Sequence, residues 1–257
     1  MTHYVLILAG GQGSRLNKKK VPKQFLHINK LPMLMYGIKA FSEADPKSKI
    51  YVGMQKQHLL IWKKLCQQHD FNIEHKIYIA GEKRFNTVFL GLEAICKNDE
   101  LTDNIVSIHD AARPFINKKF ILDLIKPLYN SKFKAVIPVI SLKNAIIYSS
   151  ESEYRSLNRN DYLLCQTPQC FKLNEIIKAY KSIMIEFENK KLSPHLMDDD
   201  KGWENKLHDD LTIFNKFFSQ EKSSIKFIKG LDYNMKITTD LDYFISEKVQ
   251  NFHIQIK

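Results

Sequence analysis

The sequence predicts an α/β fold, a mostly parallel sheet flanked by helices on both faces with a β-arm projecting from it. Three observations carry the prediction. Short apolar runs alternate along the chain with longer segments of helical period, the pattern of strand–helix–strand units. The first run, Tyr4 to Leu8, enters a glycine-rich turn at Gly10-Gly11-Gln12-Gly13. A chain of 257 residues with 44% hydrophobic content has apolar material for one substantial core, so a single domain over residues 1–257 is expected.

Taken in order, the strand-like runs are Tyr4 to Leu8, Ile50 to Met54, Ile77 to Ile79, Ile105 to Ile108, Ala135 to Val139 and Ile225 to Ile228. Helical period marks Met33 to Ser42, Lys56 to His69, Asn86 to Cys96, Lys118 to Tyr129 and the closing Leu241 to Phe252. Two stretches break the alternation. Between about Ser141 and Gln166, the runs Asn144 to Tyr148 and Asp161 to Cys165 flank a serine and glutamate turn, which reads as a two-stranded arm of the kind that makes dimer contacts. From Asn189 to Lys206 the chain is charged, with Asp198-Asp199-Asp200 in its middle, and reads as a surface insertion.

The formal charge of +11 comes from 39 basic and 28 acidic residues, and it admits either a polyanionic partner or lysine as surface filler. Lysine is spread over the whole chain, which favours filler and argues against a nucleic-acid partner. The dense run Lys18-Lys19-Lys20 with Lys23 follows the glycine turn directly, a place that suits phosphate. Cys66, Cys96, Cys165 and Cys170 form no C-x-x-C pair and are expected to be reduced, mostly buried thiols. No run approaches about 18 apolar residues, and the first residues lack the positive start of a secretory signal. A cytoplasmic protein with no membrane contact is the expectation.

A strand running into Gly10-Gly11-x-Gly13 brings backbone N–H groups to a sheet edge with no Cβ atoms to keep an anion away. A dinucleotide fingerprint would need a third glycine at position 16, where this chain has Leu16, and an acidic residue further on. Instead Arg15, Lys18 to Lys20 and Pro22-Lys23-Gln24-Phe25 follow. Arg15 and Lys23 are therefore candidates for holding a triphosphate, because cations placed beforehand stabilise the charge that develops as pyrophosphate leaves.

The opening Ala9-Gly10-Gly11-Gln12-Gly13-Ser14-Arg15 with Pro22-Lys23-Gln24-Phe25 resembles that of the IspD/TarI family of cytidylyltransferases. Four more segments match in order: Gly81-Glu82-x-Arg84-x-Asn86-Thr87-Val88-x-x-Gly91-Leu92, His109 to Phe115, Gln166-Thr167-Pro168-Gln169-x-Phe171, and Asn234-x-Lys236-Ile237-Thr238-Thr239. The resemblance implies a Rossmann-like nucleotidyltransferase (GT-A-like) fold. It implies CTP as one substrate and a polyol phosphate, 2-C-methylerythritol 4-phosphate or ribitol 5-phosphate, as the other, with isoprenoid or surface-polymer synthesis as the setting. A homodimer formed through the arm is expected.

By the same resemblance, Ala9, Gly10, Gly11, Gly13, Gly81, Glu82, Thr87 and Asp110 are implied to contact CTP. Asp110 is the implied ligand of Mg²⁺, which is content with one carboxylate plus substrate oxygens. Arg159, Thr167, Asp209 and Lys236 are implied to bind the polyol phosphate, and Arg15, Lys23, Arg159 and Lys236 to be the catalytic cations. An Asp209 that merely starts a helix is the alternative for that residue. A nucleotide-cofactor oxidoreductase or a basic nucleic-acid-binding protein on the same fold are the competing readings of the whole chain.

No catalytic histidine is required, because the attacking phosphate oxygen is already anionic, and His109 is expected to be structural. The chain departs from the family at Ala80, where a glycine is usual, at Ser141 to Asn144, which lack an expected Asp and Thr, and at His208, where Thr is usual. The last two lie on the acceptor side, so the identity of the polyol phosphate is left open.

Overall fold

The computed structural model describes residues 1–11, 21–97, 103–129, 132–192, 207, 209–218 and 222–255. The central sheet contains β1 (His3–Leu8), β4 (Lys49–Met54), β5 (Lys76–Ile79), β6 (Ile105–Asp110), β7 (Ala135–Ser141), β10 (Leu163–Cys165), β11 (Gln169–Lys172) and β12 (Ile225–Lys229). Short pairs β2 (His27–Ile28) with β3 (Leu31–Pro32), and β8 (Ile146–Ser149) with β9 (Tyr154–Leu157), stand apart from it. The strand order is β10-β7-β11-β6-β1-β4-β5, with β12 also on β7. Pairings among β12, β7, β6, β1, β4 and β5 are parallel, whereas β10 and β11 run antiparallel.

The helices are α1 (Met33–Ala44), α2 (Leu59–Gln68), α3 (Arg84–Cys96), α4 (Lys118–Ile125), α5 (Leu173–Leu192), α6 (Asp210–Phe217) and α7 (Asp240–Gln255). The alternation of β1 shows why its sequence is apolar throughout. Tyr4 and Leu6 pack into one cluster with Val88 and Leu92 of α3 and Tyr180 of α5, while Val5 and Ile7 pack on Ile38 of α1 and Phe120 and Leu124 of α4. A strand covered on both faces has no position to give to water.

Three corrections to the sequence reading arise here. The arm is the hairpin β8–β9, closed across Ser150–Glu153 by the Ser150 N–H donating to the Glu153 carbonyl, so Tyr154 to Leu157 supplies its second strand. Leu163 to Cys165 instead pairs with Val139 to Ser141 inside the main sheet. Residues 189–192, assigned to the insertion, continue α5, and 193–206 lie outside the described residues. The sequence reading also omits β11, α5 and α6. α5 buries Leu173, Ile176, Ile177, Tyr180 and Ile183, a helical spacing diluted by the charged residues between them.

This architecture gathers strand ends. Leu8 registers against Asp110 and against Gly53, and Gly53 against Tyr78. The carboxyl ends of β6, β1, β4 and β5 thus open onto one crevice edge, where ligands of parallel α/β sheets bind.

Candidate functional site

Two turns form the floor of the site. Gly10 follows β1, and a Cβ there would stand 2.5 Å from the Ala80 Cβ, so only glycine lets the first turn approach the second, Ala80-Gly81 after β5. The Ala80 methyl fills that contact, which gives the family departure at this position a packing role. Gln55 donates from Nε2 to the carbonyls of Gly10 (3.3 Å) and Gly81 (3.4 Å), bridging the turns. The Thr87 hydroxyl accepts from the Gly81 N–H (3.1 Å) and donates toward the Lys83 carbonyl (3.1 Å). Thr87 therefore shapes the Gly81-Glu82 turn from within the first turn of α3.

Lys23 is fixed by its neighbours. In the short helical turn Lys23–Phe25, Gln24 is buried and donates to the Ala9 carbonyl (2.7 Å), and Phe25 stacks on Trp62. The Lys23 ammonium reaches the Ile237 carbonyl at 3.4 Å. Lys236 arrives on a segment anchored by three hydrogen bonds: Arg113 Nη1 to the Asn234 carbonyl (2.8 Å), Asn234 Nδ2 to the Thr167 carbonyl (2.9 Å), and the Ile237 N–H to the Ala112 carbonyl (2.8 Å).

Beside Lys236 stands Asp110. Its Oδ1 accepts from Arg84 Nε (3.2 Å), and its Oδ2 pairs with Lys236 Nζ (2.7 Å). Burial alone would raise the Asp110 pKa, but Arg84 and then Lys236 outweigh it and hold the carboxyl well below the usual carboxylate range. Arg84 also binds Asp210 through both terminal nitrogens (2.9 and 2.7 Å), and the Tyr180 hydroxyl donates to Asp210 Oδ1 (2.6 Å). Burial acts to lower the Arg84 pKa, yet Asp210 and Asp110 hold it well above the ordinary value.

Leu8 to Gly11, Lys23, Gln24, Gly81, Glu82, Arg84, Thr87, Asp110 to Ala112 and Lys236 enclose a cavity of about 200 Å³. Of the sequence-predicted residues, Ala9, Gly10, Gly11, Lys23, Gly81, Glu82, Thr87, Asp110 and Lys236 are thus brought together. Gly13 and Arg15 lie outside the described residues, as does His208.

Three predicted acceptor residues are placed differently. Thr167 is buried, and its hydroxyl accepts from the Asp110 N–H (3.1 Å) and lies 3.1 Å from His109 Nδ1. His109 Nε2 stands 3.0 Å from the Arg113 carbonyl, so that nitrogen carries the ring proton and Thr167 donates to Nδ1. With donor and acceptor engaged, Thr167 positions the backbone of Asp110. Burial pushes the His109 pKa down to about 4, only partly opposed by Asp110, and keeps the ring neutral.

Asp209 caps α6: Oδ1 accepts from the Thr212 N–H (2.8 Å) and hydroxyl (2.7 Å), and Oδ2 from Gln169 Nε2 (3.0 Å). Arg159 lies on an exposed turn beyond the arm, donating to the Lys143 carbonyl (2.6 Å), and does not line the cavity.

Sequence reasoning passed over Arg84 and Asp210 as site residues and gave no role to Gln55. Arg84 lies in the Gly81 to Leu92 motif, and its place three residues after Gly81 is the signal for it. Asp210 adjoins Asp209 in the sequence.

A pocket lined by two glycine turns, two lysines and an ionised carboxylate is suited to phosphate groups and the cation that accompanies them. Over residues 3–251 the sequence matches the family described as 2-C-methyl-D-erythritol 4-phosphate cytidylyltransferase. The enzyme of that name from Azobacteroides pseudotrichonymphae is 32% identical over 244 residues, 95% of this chain and 96% of the relative. The one from Bacteroides fragilis is 36% identical over 187 residues, 73% of this chain and 82% of the relative.

Among solved structures, the 4-diphosphocytidyl-2C-methyl-D-erythritol synthase of Anaerococcus prevotii shares the fold. Its TM-score is 0.75 at 21% identity, covering 97% of this chain and 96% of that one. The chain belongs to the 2-C-methyl-D-erythritol 4-phosphate cytidylyltransferase family and is a nucleotidyltransferase.

Proposed function

We propose that the chain transfers CMP from CTP to the phosphate of 2-C-methyl-D-erythritol 4-phosphate, releasing pyrophosphate and forming the CDP-polyol. The observation that supports this best is the arrangement of Lys23, Lys236 and Asp110 at the mouth of the Gly10-Gly11 turn. An acceptor phosphate oxygen attacks the α-phosphorus of CTP, the bond to the bridging oxygen breaks, and pyrophosphate leaves with the electron pair. The reaction joins two anions, so its chief requirements are approach and charge compensation. Lys23 and Lys236 supply fixed positive charge on the side where charge accumulates. The matching family favours methylerythritol phosphate over ribitol 5-phosphate as acceptor, and with it a role in isoprenoid synthesis in the cytoplasm.

The donor set also fits Mg²⁺. Asp110 is an ionised carboxylate on the cavity wall, which Glu82 also lines, and Mg²⁺ takes one or two carboxylates and completes its shell with phosphate oxygens and water. Asp110 would hold the ion, which when bound offsets triphosphate charge. Lys236 shares Asp110 in the structure, and a bound phosphate offers that ammonium another partner.

A homodimer through the arm completes the proposal. Ile147 and Tyr154 on the hairpin are 62% and 82% exposed, an apolar surface that a second copy would cover. Arg159, carried beside the arm and away from its own chain's cavity, would reach a site only across such an interface.

The test is pyrophosphate release from CTP and Mg²⁺ with methylerythritol 4-phosphate, ribitol 5-phosphate and other tetritol or pentitol phosphates. Release with the first and little with the second is expected, and Lys23→Ala or Lys236→Ala should cut kcat by about 10²–10³. Silence with every polyol phosphate would overturn the proposal.

A further inference from the structure

We propose that His27 and His69 form a binding site for a late first-row divalent transition metal ion, with Zn²⁺ as the reference ligand, separate from the nucleotide cavity. Their Nε2 atoms stand 3.1 Å apart, with ring centroids 5.2 Å apart, so the rings meet through their nitrogens and not through their faces. Zinc binds imidazole nitrogen at about 2.0–2.1 Å. Two nitrogens at the observed separation therefore subtend about 100° at an ion between them, close to the tetrahedral angle. In the metal-free molecule one ring donates its N–H to the other. A metal ion takes the place of that proton with rotation of two side chains alone, which is the usual exchange of proton for metal at a histidine ligand.

The carriers of both rings are already fixed. His27 pairs with Pro32 in the β2–β3 hairpin, and its carbonyl accepts from the Tyr243 hydroxyl of α7 (2.6 Å). His69 caps α2, its N–H donating to the Leu65 carbonyl (3.1 Å), and the next residue, Asp70, turns the chain with a φ of 45°. Ordering such a chelate costs only side-chain freedom. The position of His27 at the surface gives an ion direct entry.

The ligand chemistry sets the class of ion. Imidazole suits Zn²⁺, Ni²⁺ and Cu²⁺, whereas Mg²⁺ takes oxygen donors. Among the described residues no group of three His, Cys, Asp or Glu side chains could hold an ion, so the remaining coordination positions fall to water or a small solute. The site also has a structural consequence. The Lys23–Phe25 turn ends two residues before His27, so an ion bridging to His69 would tie the segment carrying Lys23 to the end of α2.

The test is calorimetric titration of ZnCl₂ into the metal-free full-length protein, and into His27→Asn and His69→Asn, at about pH 7.5. Wild type should show one site whose affinity falls roughly tenfold or more in each variant, the gain from a second ligand held at short range. The unfolding midpoints by circular dichroism should be unchanged. Excess MgCl₂ should not compete. Zinc binding equal to wild type in either variant, competition by Mg²⁺, or no zinc binding by wild type would overturn the proposal. The two variants lie on different elements, so loss of fold in one leaves the other decisive.

Discussion

The cavity around Asp110 and the arm formed by β8 and β9 are built on opposite terms. In the cavity, four segments distant in sequence converge, and their charges answer one another: Asp210 holds Arg84, Arg84 holds Asp110, and Asp110 holds Lys236. In the arm, two adjacent strands pair with each other alone and turn apolar side chains outward. The charge network of the first region is held within one chain. The second leaves apolar surface open to solvent. A buried charge network fixes geometry at a high cost for any member lost, whereas an exposed hairpin contributes little to the chain that carries it.

The largest expected effect tests the first half of that contrast. Arg84→Met removes the cation shared by two carboxylates, one of which, Asp210, is fully buried. Removing one partner of a buried pair leaves an uncompensated charge, and a loss of about 3–5 kcal/mol is expected from urea unfolding, together with slower turnover. A loss below about 1 kcal/mol would place Arg84 among surface ion pairs and erase the contrast. Asp110→Ala should likewise cost stability as well as turnover, though less, because Lys236 loses its carboxylate while Arg84 keeps Asp210.

A second test uses pH. The pKa of His109 is about 4 in the folded chain against an ordinary value of 6.5, so the unfolded chain binds the proton first. The stabilisation is fully present above about pH 6.5 and is lost as pH falls toward 4, by roughly 3 kcal/mol in total. Unfolding midpoints measured across this window should show the slope in wild type and lose most of it in His109→Asn. No comparable slope should arise from the arm, whose described strands contain no histidine.

The contrast also explains what the sequence disclosed. The glycine turns, Lys23, Asp110 and Lys236 were legible because each is tied to a backbone feature with a local signature: a strand end, a turn without Cβ atoms, a short motif of fixed spacing. Arg84 and Asp210 were missed because their roles arise from a meeting of segments 126 residues apart, which spacing does not reveal. For Thr167 and Asp209 the fold supplies partners within the chain that spacing does not show: the Thr167 hydroxyl meets Asp110 and His109, and the Asp209 carboxylate caps α6. The arm's register was misplaced because Leu163 to Cys165 is as apolar as a hairpin strand. Only the free edge of β7 decides its partner.

A smaller effect separates capping from binding. Asp209→Ala should cost about 1 kcal/mol, the worth of a helix N-cap, and leave KM for the acceptor unchanged. A rise in acceptor KM with unchanged stability would place Asp209 in the substrate site.

The smallest effect on stability belongs to the arm, and it is the sharpest test of the second half of the contrast. Tyr154 is 82% exposed, so Tyr154→Ser removes contacts with solvent and not with a core, and the unfolding free energy of the isolated chain should change by no more than about 0.5 kcal/mol. The same substitution removes apolar area from the face proposed to meet a second copy. Sedimentation should therefore shift toward the monomer while thermal unfolding at low protein concentration stays in place. A protein that is monomeric before the substitution would sever the arm from assembly. A dimer indifferent to it would move the interface elsewhere, and the exposed turn of Arg159 would then have no route to a cavity that its own chain does not bring it to.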